Sequence, residues 1–380
     1  MNKKIILFAN TAWYLFNFRL SLARALRDAG YDLLLISPAD EYAKRLQDEG
    51  FLWEAVPMER KSLNPLRELK LIWYLRNLYK REKPVLVHHF TIKCVILGSI
   101  AAKLAGVKGR VNAVAGLGYV FISDAVKARM LRPVVKILLS WVLNDKRSLL
   151  ILQNTDDEKA FGSSGVLQRD KIRVIKGSGV NVKKFYPSER KNHADQKIKI
   201  LLAARLLWDK GIGEFVEVAY SMKAAGKVAL FMLAGVPDKG NPRAIDTKSI
   251  EEWKNDGAIQ VLGQVDDMPE LLRSVDIFIL PTTYGEGVPR SLIEAGACGL
   301  PLIATDVPGC REIIEDKING FLVPSQDIDA LECAIQKLID NPQMRNEMGK
   351  NARKKVLREF DEEIVISETL KIYKELLRRD

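Results

Sequence analysis

Short apolar segments alternate with helix-patterned stretches along most of the chain, and this alternation is what most constrains the fold. In the first half, the strand-like segments are 3–8, 31–37, 51–56, 84–89, 109–115 and 148–153. In the second half they are 197–204, 228–235, 258–263, 275–281, 300–305 and 320–324, followed by helical sequence from about 328 to 377. Repeated strand–helix units predict parallel sheets covered by helices, an α/β fold.

A polar, glycine-bearing segment at 176–196 interrupts the alternation, and we predict a linker within it at 181–196. The 380 residues are enough for two domains. We therefore predict an N-terminal domain over 1–180, a C-terminal domain over 197–357, and a last helix over 358–380, with a return to the first domain as one option. Each domain is expected to be doubly wound and Rossmann-like, facing the other across a cleft, with ligands at the carboxyl ends of strands.

Positive charge is concentrated in the first half of the chain. Residues 1–185 hold 32 Lys and Arg against 16 Asp and Glu, and the remainder holds 27 against 32, from totals of 59 and 48. Such asymmetry predicts an anionic partner for the first half. No helix-turn-helix, zinc spacing or RNA-binding motif supports a nucleic-acid partner, so nucleic-acid binding is a remote alternative.

Two basic helical segments, 65–83 and 127–147, mix Lys and Arg with Leu, Ile, Trp and Tyr. This pattern is typical of helices that lie on anionic lipid, although a core-facing helix with a solvated basic face gives the same sequence. No signal peptide and no membrane-spanning apolar run is apparent. We expect a cytoplasmic protein, peripheral on the inner face of the cell membrane.

Two glutamates are separated by a proline in the segment YGEGVPRSLIEAGACG, residues 284–299. Glu286 follows a buried strand, and Glu294 lies on a helix predicted to begin at Pro289. Carboxylates accept hydrogen bonds from sugar hydroxyls, and a helix start suits a phosphate, so the segment fits a nucleotide-sugar. The alternative is a surface charge at Glu286 and a helix-dipole charge at Glu294.

A second motif, LLAARLLWDKGI, places two cations after the strand 198–204. Arg205 lies at the carboxyl end of this strand, and Lys210, followed by Gly211, is predicted to open the next helix. Two cations at a strand end can hold a diphosphate leaving group without a metal. The alternative is a solvated basic turn.

Together these motifs resemble the retaining GT-B glycosyltransferases of family 4, which carry E-x7-E and R-x4-K-G in this order. The turn at 307–312 and NGFLVP at 319–324 extend the likeness. The resemblance implies a hexosyltransferase that uses a nucleotide-sugar donor and no cofactor. The family favours uridine as the nucleoside, so the expected donor is a UDP-sugar. The resemblance implies the following donor contacts: Arg205 and Lys210 for the diphosphate, Glu286 for the sugar hydroxyls with help from the backbone of Gly287, Val288 and Pro289, Glu294 for the ribose, and Gly263 and Val265 for the base. Arg290 is a further candidate for donor binding.

The first half offers candidate residues for the acceptor or for catalysis. Asn10 and Thr11 follow the first strand, and Arg19 either contacts a ligand or helps to start the first helix. His88 and His89 end a strand and are expected to point to opposite faces, with His89 favoured as the catalytic, cleft-facing residue. Gly116 and Gly118 allow a close approach of the backbone to donor or acceptor.

The segments YLFNFRLSLARAL, KSLNPLREL and GLGYVF resemble transferases that extend oligosaccharides on a polyprenyl diphosphate, including N-acetylgalactosaminyltransferases. This implies transfer of a hexose or N-acetylhexosamine to a lipid-linked saccharide in bacterial glycan assembly. A sugar-nucleotide 2-epimerase of the same fold is the alternative. The Asp-x-Asp at 327–329 is expected to cap a helix rather than to hold a metal, and no metal site is expected.

Overall fold

The computed structural model describes residues 3–60, 62, 64–115, 126–188, 197–238, 240–285 and 287–378. The predictions for Glu286, Gly116 and Gly118, and the part of the predicted linker at 189–196, lie outside these residues. The chain forms two compact units, one of residues 1–178 with 363–380 and one of residues 179–362.

A parallel sheet in the order β3-β2-β1-β4-β5-β6-β7 forms the centre of the first unit. Its strands are β1 (Lys4–Phe8), β2 (Asp32–Ser37), β3 (Leu52–Ala55), β4 (Leu86–Phe90), β5 (Gly109–Val114), β6 (Ser148–Leu152) and β7 (Ile172–Val174). The helices of this unit are α1 (Ala12–Asp28), α2 (Tyr42–Asp48), α3 (Pro65–Glu82), α4 (Ile92–Ala105), α5 (Val126–Leu143), α6 (Thr155–Ser163) and α14 (Glu362–Leu377).

In the central strands of this sheet, successive residues are buried on opposite faces, as the twofold repeat of a strand requires. Ile6 and Phe8 of β1 pack in the cluster that contains the apolar residues of α3, α4 and α5. Ile5 and Leu7 pack in the other cluster, with residues of α1 and with Tyr373 of α14. The last helix of the chain therefore completes the core of the first unit.

The second unit contains a parallel sheet in the order β10-β9-β8-β11-β12-β13. Its strands are β8 (Ile198–Ala203), β9 (Ala229–Ala234), β10 (Ile259–Gly263), β11 (Ile277–Leu280), β12 (Leu302–Thr305) and β13 (Gly320–Val323). Its helices are α7 (Ile212–Ala224), α8 (Thr247–Asp256), α9 (Met268–Arg273), α10 (Arg290–Ala297), α11 (Cys310–Ile313), α12 (Ile328–Asp340) and α13 (Pro342–Glu359). Helices cover both faces, since Leu201 and Ile200 of β8 lie in separate core clusters.

The predicted strands are all present, with ends shifted by no more than two residues. The short edge strand β7 was not predicted, because three residues are too few to show alternation. Arg19 does not start the first helix: α1 begins at Ala12, Thr11 caps it through a 3.0 Å bond from the Tyr14 N–H, and Arg19 lies two turns inside. Within the described residues, no helix is long and apolar enough to cross a bilayer.

Candidate functional site

The loops that follow β8 and β11 carry the two motifs of the second half, and the sheet makes them neighbours. β8 pairs with β9 on one side and with β11 on the other, so the connections that follow β8 and β11 leave in opposite directions along the sheet. Such a reversal of strand order opens a crevice at the carboxyl edge, where ligands bind in sheets of this kind. The motifs are more than 70 residues apart in sequence and meet here.

Gly211 makes the close approach of these two loops possible. Its φ is +72°, and a Cβ at this position would lie 1.9 Å from the carbonyl oxygen of Pro281. Any side chain would therefore push the two loops apart. The glycine in the Lys-Gly pair is required by packing against the end of β11.

Three hydrogen bonds fasten the loops where Gly211 lets them touch. The carbonyl oxygen of Asp209 accepts from the Thr283 N–H at 2.9 Å, from the Thr282 hydroxyl at 3.0 Å and from the Thr283 hydroxyl at 3.3 Å. The side chain of Asp209 pairs with Arg243 at 2.8 Å. These bonds fix the short 3-10 turn Trp208–Lys210 against the loop that leads into the predicted sugar-binding segment.

Lys210 is buried, and its Nζ lies 5.3 Å from the centre of the Tyr284 ring. We predicted that Lys210 opens the next helix, but it ends the 3-10 turn, and α7 begins at Ile212 after the Gly211 cap. Tyr284 was not among the predicted site residues. Its place beside the lysine follows from the β8–β11 pairing, which the sequence does not display.

Arg205 lies at the carboxyl end of β8 with its guanidinium close to half exposed. One of its nitrogens donates to Asp238 Oδ2 at 2.7 Å. Asp238 lies in the loop after β9, three residues beyond Gly235. A Cβ at Gly235 would lie 1.9 Å from the Ala204 carbonyl oxygen, so the backbones after β8 and β9 are in close contact. Asp238 was not predicted, and its carboxylate offsets part of the charge of the guanidinium.

Helix α10 follows the second motif segment directly. It begins at Arg290, one residue after the predicted start at Pro289. Pro289 has an extended ψ of 117° and is the N-cap, with its carbonyl oxygen accepting from the Leu292 N–H at 3.1 Å. Gly287, Val288 and Pro289 are buried in the approach to the helix. Arg290 Nε donates to Glu294 Oε1 at 2.8 Å, so the glutamate is held in place one turn inside the helix.

The neighbouring strand ends complete this edge of the sheet. Gly263 ends β10 with φ +69°, and its carbonyl oxygen accepts from the Gly235 N–H at 2.7 Å. Val265 follows, half-buried against the core of the unit. Gly285 approaches Pro308 of the turn after β12, since a Cβ there would be 3.3 Å from the proline ring.

His88 and His89 lie within β4 and point to opposite faces, as predicted. His88 Nδ1 is 2.6 Å from the hydroxyl of Tyr373. His89 Nδ1 is 2.9 Å from Asn112 Oδ1, and its Nε2 is 3.3 Å from the hydroxyl of Tyr79. Because an amide oxygen only accepts, Nδ1 of His89 carries the proton and Nε2 accepts from the tyrosine.

Both imidazoles are buried, and neither is open to solvent as a cleft-facing histidine would be. Burial lowers the pKa of His88 well below its usual value, with the charge of Arg19 adding to the effect. Burial also lowers the pKa of His89 to about 4, partly opposed by the bond to Asn112. Both are neutral at physiological pH, and their catalytic roles stay predictions.

The other candidate residues of the first unit are spread over two places. Asn10 is half-buried after β1, and the side chain of Thr11 is used by the helix cap. Arg19 is buried, with its guanidinium 4.5 Å from the centre of the Phe90 ring and bonded to the Tyr14 hydroxyl at 3.0 Å.

Asp327 caps α12, as predicted, by accepting from the Ala330 N–H at 2.9 Å. Among the described residues, no cluster of His, Cys, Asp and Glu has the arrangement of a metal site. Arg205 and Lys210, both in the segment after β8, and Arg290, at the start of α10, are cations at the edge of the second sheet. Cations and a helix start facing one crevice suit an anionic, hydroxyl-bearing ligand.

The architecture defines the class of protein. The fold is that of the GT-B enzymes, with two Rossmann-like units, and it matches a glycosyltransferase from Rickettsia africae with a TM-score of 0.80, 21% identity and complete coverage of both chains. A model described as "Glycosyl transferases group 1" matches residues 187–355, and one described as "Glycosyl transferase 4-like" matches residues 4–154.

Two relatives are similar over most of their length. The N,N'-diacetylbacillosaminyl-diphospho-undecaprenol alpha-1,3-N-acetylgalactosaminyltransferase of Campylobacter jejuni is 33% identical over 96% of each chain. The UDP-Gal:alpha-D-GlcNAc-diphosphoundecaprenol alpha-1,3-galactosyltransferase of Escherichia coli is 29% identical, covering 80% of this chain and 79% of its own. The chain belongs to this glycosyltransferase family and is a hexosyltransferase. Both relatives are transferases, so the epimerase alternative has no support.

Proposed function

We propose that this enzyme transfers a hexose or N-acetylhexosamine from a UDP-sugar to a saccharide carried on a polyprenyl diphosphate, with retention of anomeric configuration. The observation that carries the proposal is the junction of the β8 and β11 loops, where Gly211 and Asp209 bring Lys210 and Tyr284 together. The names of the two relatives support this donor and this acceptor, since each names a sugar on diphospho-undecaprenol and one names UDP-Gal.

In the proposed reaction, an acceptor hydroxyl attacks the anomeric carbon while the bond to the nucleotide diphosphate breaks. Arg205 and Lys210 offset the charge that develops on the leaving diphosphate, and the start of α10 adds backbone N–H donors. The proton of the hydroxyl passes to a leaving-group oxygen on the same face, which retains the configuration. Glu286 holds hydroxyls of the transferred sugar, and Glu294, fixed by Arg290, binds the ribose.

The donor site is tested by calorimetric titration of UDP and UDP-N-acetylgalactosamine into the wild type and a Glu294→Ala variant, without added metal. Loss of charged hydrogen bonds to ribose should weaken binding by about 2 kcal/mol, or roughly 30-fold. Glu217→Ala is the matched control, because Glu217 is an exposed carboxylate in the middle of α7. Equal affinities in all three proteins would show that Glu294 does not bind the donor.

The transferase reaction is tested by incubating the enzyme with a UDP-sugar, with and without a saccharide on a short polyprenyl diphosphate. We expect UDP to form only with the acceptor, and the new anomeric proton to show the coupling of an α linkage. An isomerised UDP-sugar formed without acceptor would instead support an epimerase. Comparing UDP-N-acetylgalactosamine, UDP-galactose and UDP-glucose identifies the sugar.

We further propose that the enzyme is peripheral on an anionic membrane, where a lipid-linked acceptor resides. Helix α5 supports this with an apolar stripe of exposed side chains at spacings of three and four residues: Met130, Val134, Ile137 and Trp141. Helix α3 adds exposed Leu66, Leu69 and Trp73, the last stacked on Arg76 at 4.7 Å. Apolar and basic side chains on one helix surface are typical of interfacial helices.

Flotation with vesicles that contain phosphatidylglycerol tests the membrane proposal. Ile137 is 68% exposed, and Ile137→Glu should reduce vesicle binding because it places a carboxylate at the lipid surface. Val228, 65% exposed in the second unit, provides the control Val228→Glu. Wild-type protein that stays with the aqueous fraction would contradict the proposal while leaving the donor site untouched.

A further inference from the structure

Lys93 lies in the first turn of α4 and holds the loop that follows β3. Its ammonium group donates to the carbonyl oxygen of Glu59 at 2.7 Å, to the carbonyl oxygen of Ser62 at 2.9 Å and to Glu68 Oε1 at 2.8 Å. An ammonium group has three N–H donors, so this loop and the start of α3 use all of them. Hydrogen bonds from a charged donor are stronger than neutral ones, and here all three hold one short segment.

The segment that Lys93 holds is a tight turn, in which the Ser62 N–H donates to the carbonyl oxygen of Glu59 at 3.2 Å. We call this segment, defined by Glu59, Arg60 and Ser62, the β3–α3 turn. The side chain of Glu59 pairs with Arg67. Arg60 is exposed and makes no ion pair with any residue that the structure describes. The arginine of the turn is therefore accessible to a ligand.

The β3–α3 turn lies at the carboxyl edge of the first sheet, because it follows β3 and precedes α3. The start of α4, with Lys93, lies at the same edge, because α4 follows β4. Parallel α/β sheets bind ligands at this edge. Thr91, two residues before Lys93, has φ +72° and ψ 150°, a conformation that is strained for any residue except glycine. Such strain is concentrated at functional sites, so position and strain both indicate a ligand site here.

The helix that follows the turn indicates which ligand it takes. Exposed Leu66, Leu69 and Trp73 of α3, which we propose to lie on the membrane, begin four residues after Ser62. An acceptor carried on a polyprenyl chain has its anionic diphosphate at the membrane surface, next to such apolar side chains. A guanidinium binds phosphate oxygens through two parallel N–H donors, so Arg60 suits this diphosphate.

We propose that Arg60 binds the diphosphate of the lipid-linked acceptor, and that Lys93 is the positioning residue that holds the β3–α3 turn for this contact. The inference rests on the proposed transferase function and adds to it two residues for acceptor recognition. The diphosphate of the acceptor is not the reacting group, so the contact with Arg60 has the same strength before and during transfer. Loss of either residue should therefore raise the KM for the acceptor and leave kcat nearly unchanged.

Steady-state kinetics with a saccharide on a short, detergent-soluble polyprenyl diphosphate test the proposal, without vesicles. Arg60→Ala should raise the acceptor KM about tenfold through the loss of a charged hydrogen bond, with an unchanged affinity for UDP. Lys159→Ala, at an exposed lysine of α6, is the matched control. Lys93→Met should raise the acceptor KM to a similar extent. Lys103→Met removes the same charge from the last turn of α4 and should not raise it.

Two further measurements separate positioning from a general structural role. The double variant Arg60→Ala with Lys93→Met should raise the acceptor KM about tenfold, and not the roughly hundredfold of independent residues, because Lys93 acts through the turn. Trypsin should cleave after Arg60 at least tenfold faster in Lys93→Met than in the wild type or Lys103→Met, because an exposed loop that is no longer held is readily cleaved.

The outcomes distinguish this inference from the proposed function. A wild type that transfers no sugar to the acceptor refutes both. An active wild type with an unchanged acceptor KM in Arg60→Ala overturns the inference alone, and a variant that loses only its binding to phosphatidylglycerol vesicles shows that Arg60 contacts the membrane instead. An unchanged rate of cleavage in Lys93→Met refutes the positioning role. Since Arg60 is exposed, Arg60→Ala tests the diphosphate contact even where Lys93→Met does not fold.

Discussion

Replacing Gly211 by alanine should disrupt the donor site far more than an identical replacement at the other end of the same helix. Gly211 precedes α7 with φ +72°, and Gly226 follows it with φ +70°. A Cβ at Gly211 would lie 1.9 Å from the Pro281 carbonyl oxygen, whereas a Cβ at Gly226 meets nothing within 4 Å. Comparing the two variants therefore separates the cost of the left-handed backbone conformation, which both share, from the cost of the clash between two loops, which only Gly211→Ala has.

The left-handed conformation costs alanine about 1 kcal/mol at either site. At Gly211 the added carbon also forces the loops apart, which costs about 1–3 kcal/mol by analogy with overpacked cores. Separation weakens the bonds that Thr282 and Thr283 make to Asp209, each worth about 1 kcal/mol. We expect losses of unfolding free energy of about 4 kcal/mol for Gly211→Ala and about 1 kcal/mol for Gly226→Ala.

Urea unfolding followed by tryptophan fluorescence measures this difference, because Trp208 lies in the affected turn and packs 6.1 Å from Trp253. Calorimetry with UDP measures the functional effect: displacement of Lys210 should weaken binding at least tenfold in Gly211→Ala only. Two variants whose unfolding free energies agree within about 0.5 kcal/mol would refute the reasoning. So would a Gly211→Ala protein that binds UDP as the wild type does.

Three further predictions concern the environments of single residues. Asp238→Asn removes the carboxylate that pairs with Arg205, so calorimetry should show UDP binding up to about fivefold tighter; weaker binding would mean that the aspartate positions the arginine. Cys333 is exposed while the other three cysteines are buried, and burial raises the pKa of Cys94 to about 12. A thiol reagent should therefore modify one cysteine per native chain and four after unfolding, and faster modification of a second thiol would contradict the burial. Burial raises the pKa of Asp157 from 3.8 to about 6, so ionisation destabilises the fold as pH rises through this range. The carboxylate interacts favourably with the N-terminus of α6, which offsets part of this cost. The unfolding free energy of Asp157→Asn should therefore exceed that of the wild type by about 2 kcal/mol above pH 6 and equal it below pH 3.8. Urea unfolding across pH measures this difference, and a pH-independent difference would contradict the assignment.

The site was predictable to the extent that its residues follow strands in a parallel sheet. Arg205 and Lys210 were placed at the end of β8 because the apolar run before them reads as a buried strand. Tyr284 and Asp238 were missed, since a tyrosine and an aspartate in polar loops carry no local signal. Their positions depend on the pairing of β8 with β11 and with β9, which links segments far apart in the chain.

For the two histidines, the sequence predicted the direction of the side chains but not their burial. The strand period correctly indicated that His88 and His89 point to opposite faces. It did not show that both faces are covered, by Tyr373 of α14 on one side and Tyr79 of α3 on the other. A strand repeat specifies direction, while burial depends on the helices that pack against the sheet.

The sequence by itself determined the order of strands and helices, because apolar periodicity is a local property that adjacent residues share. It also determined the family, through cations and carboxylates at fixed spacings. Only the tertiary structure decided which loops meet, since this depends on strand order. Only it placed α14 in the core of the first unit, because burial is set by contacts between distant segments.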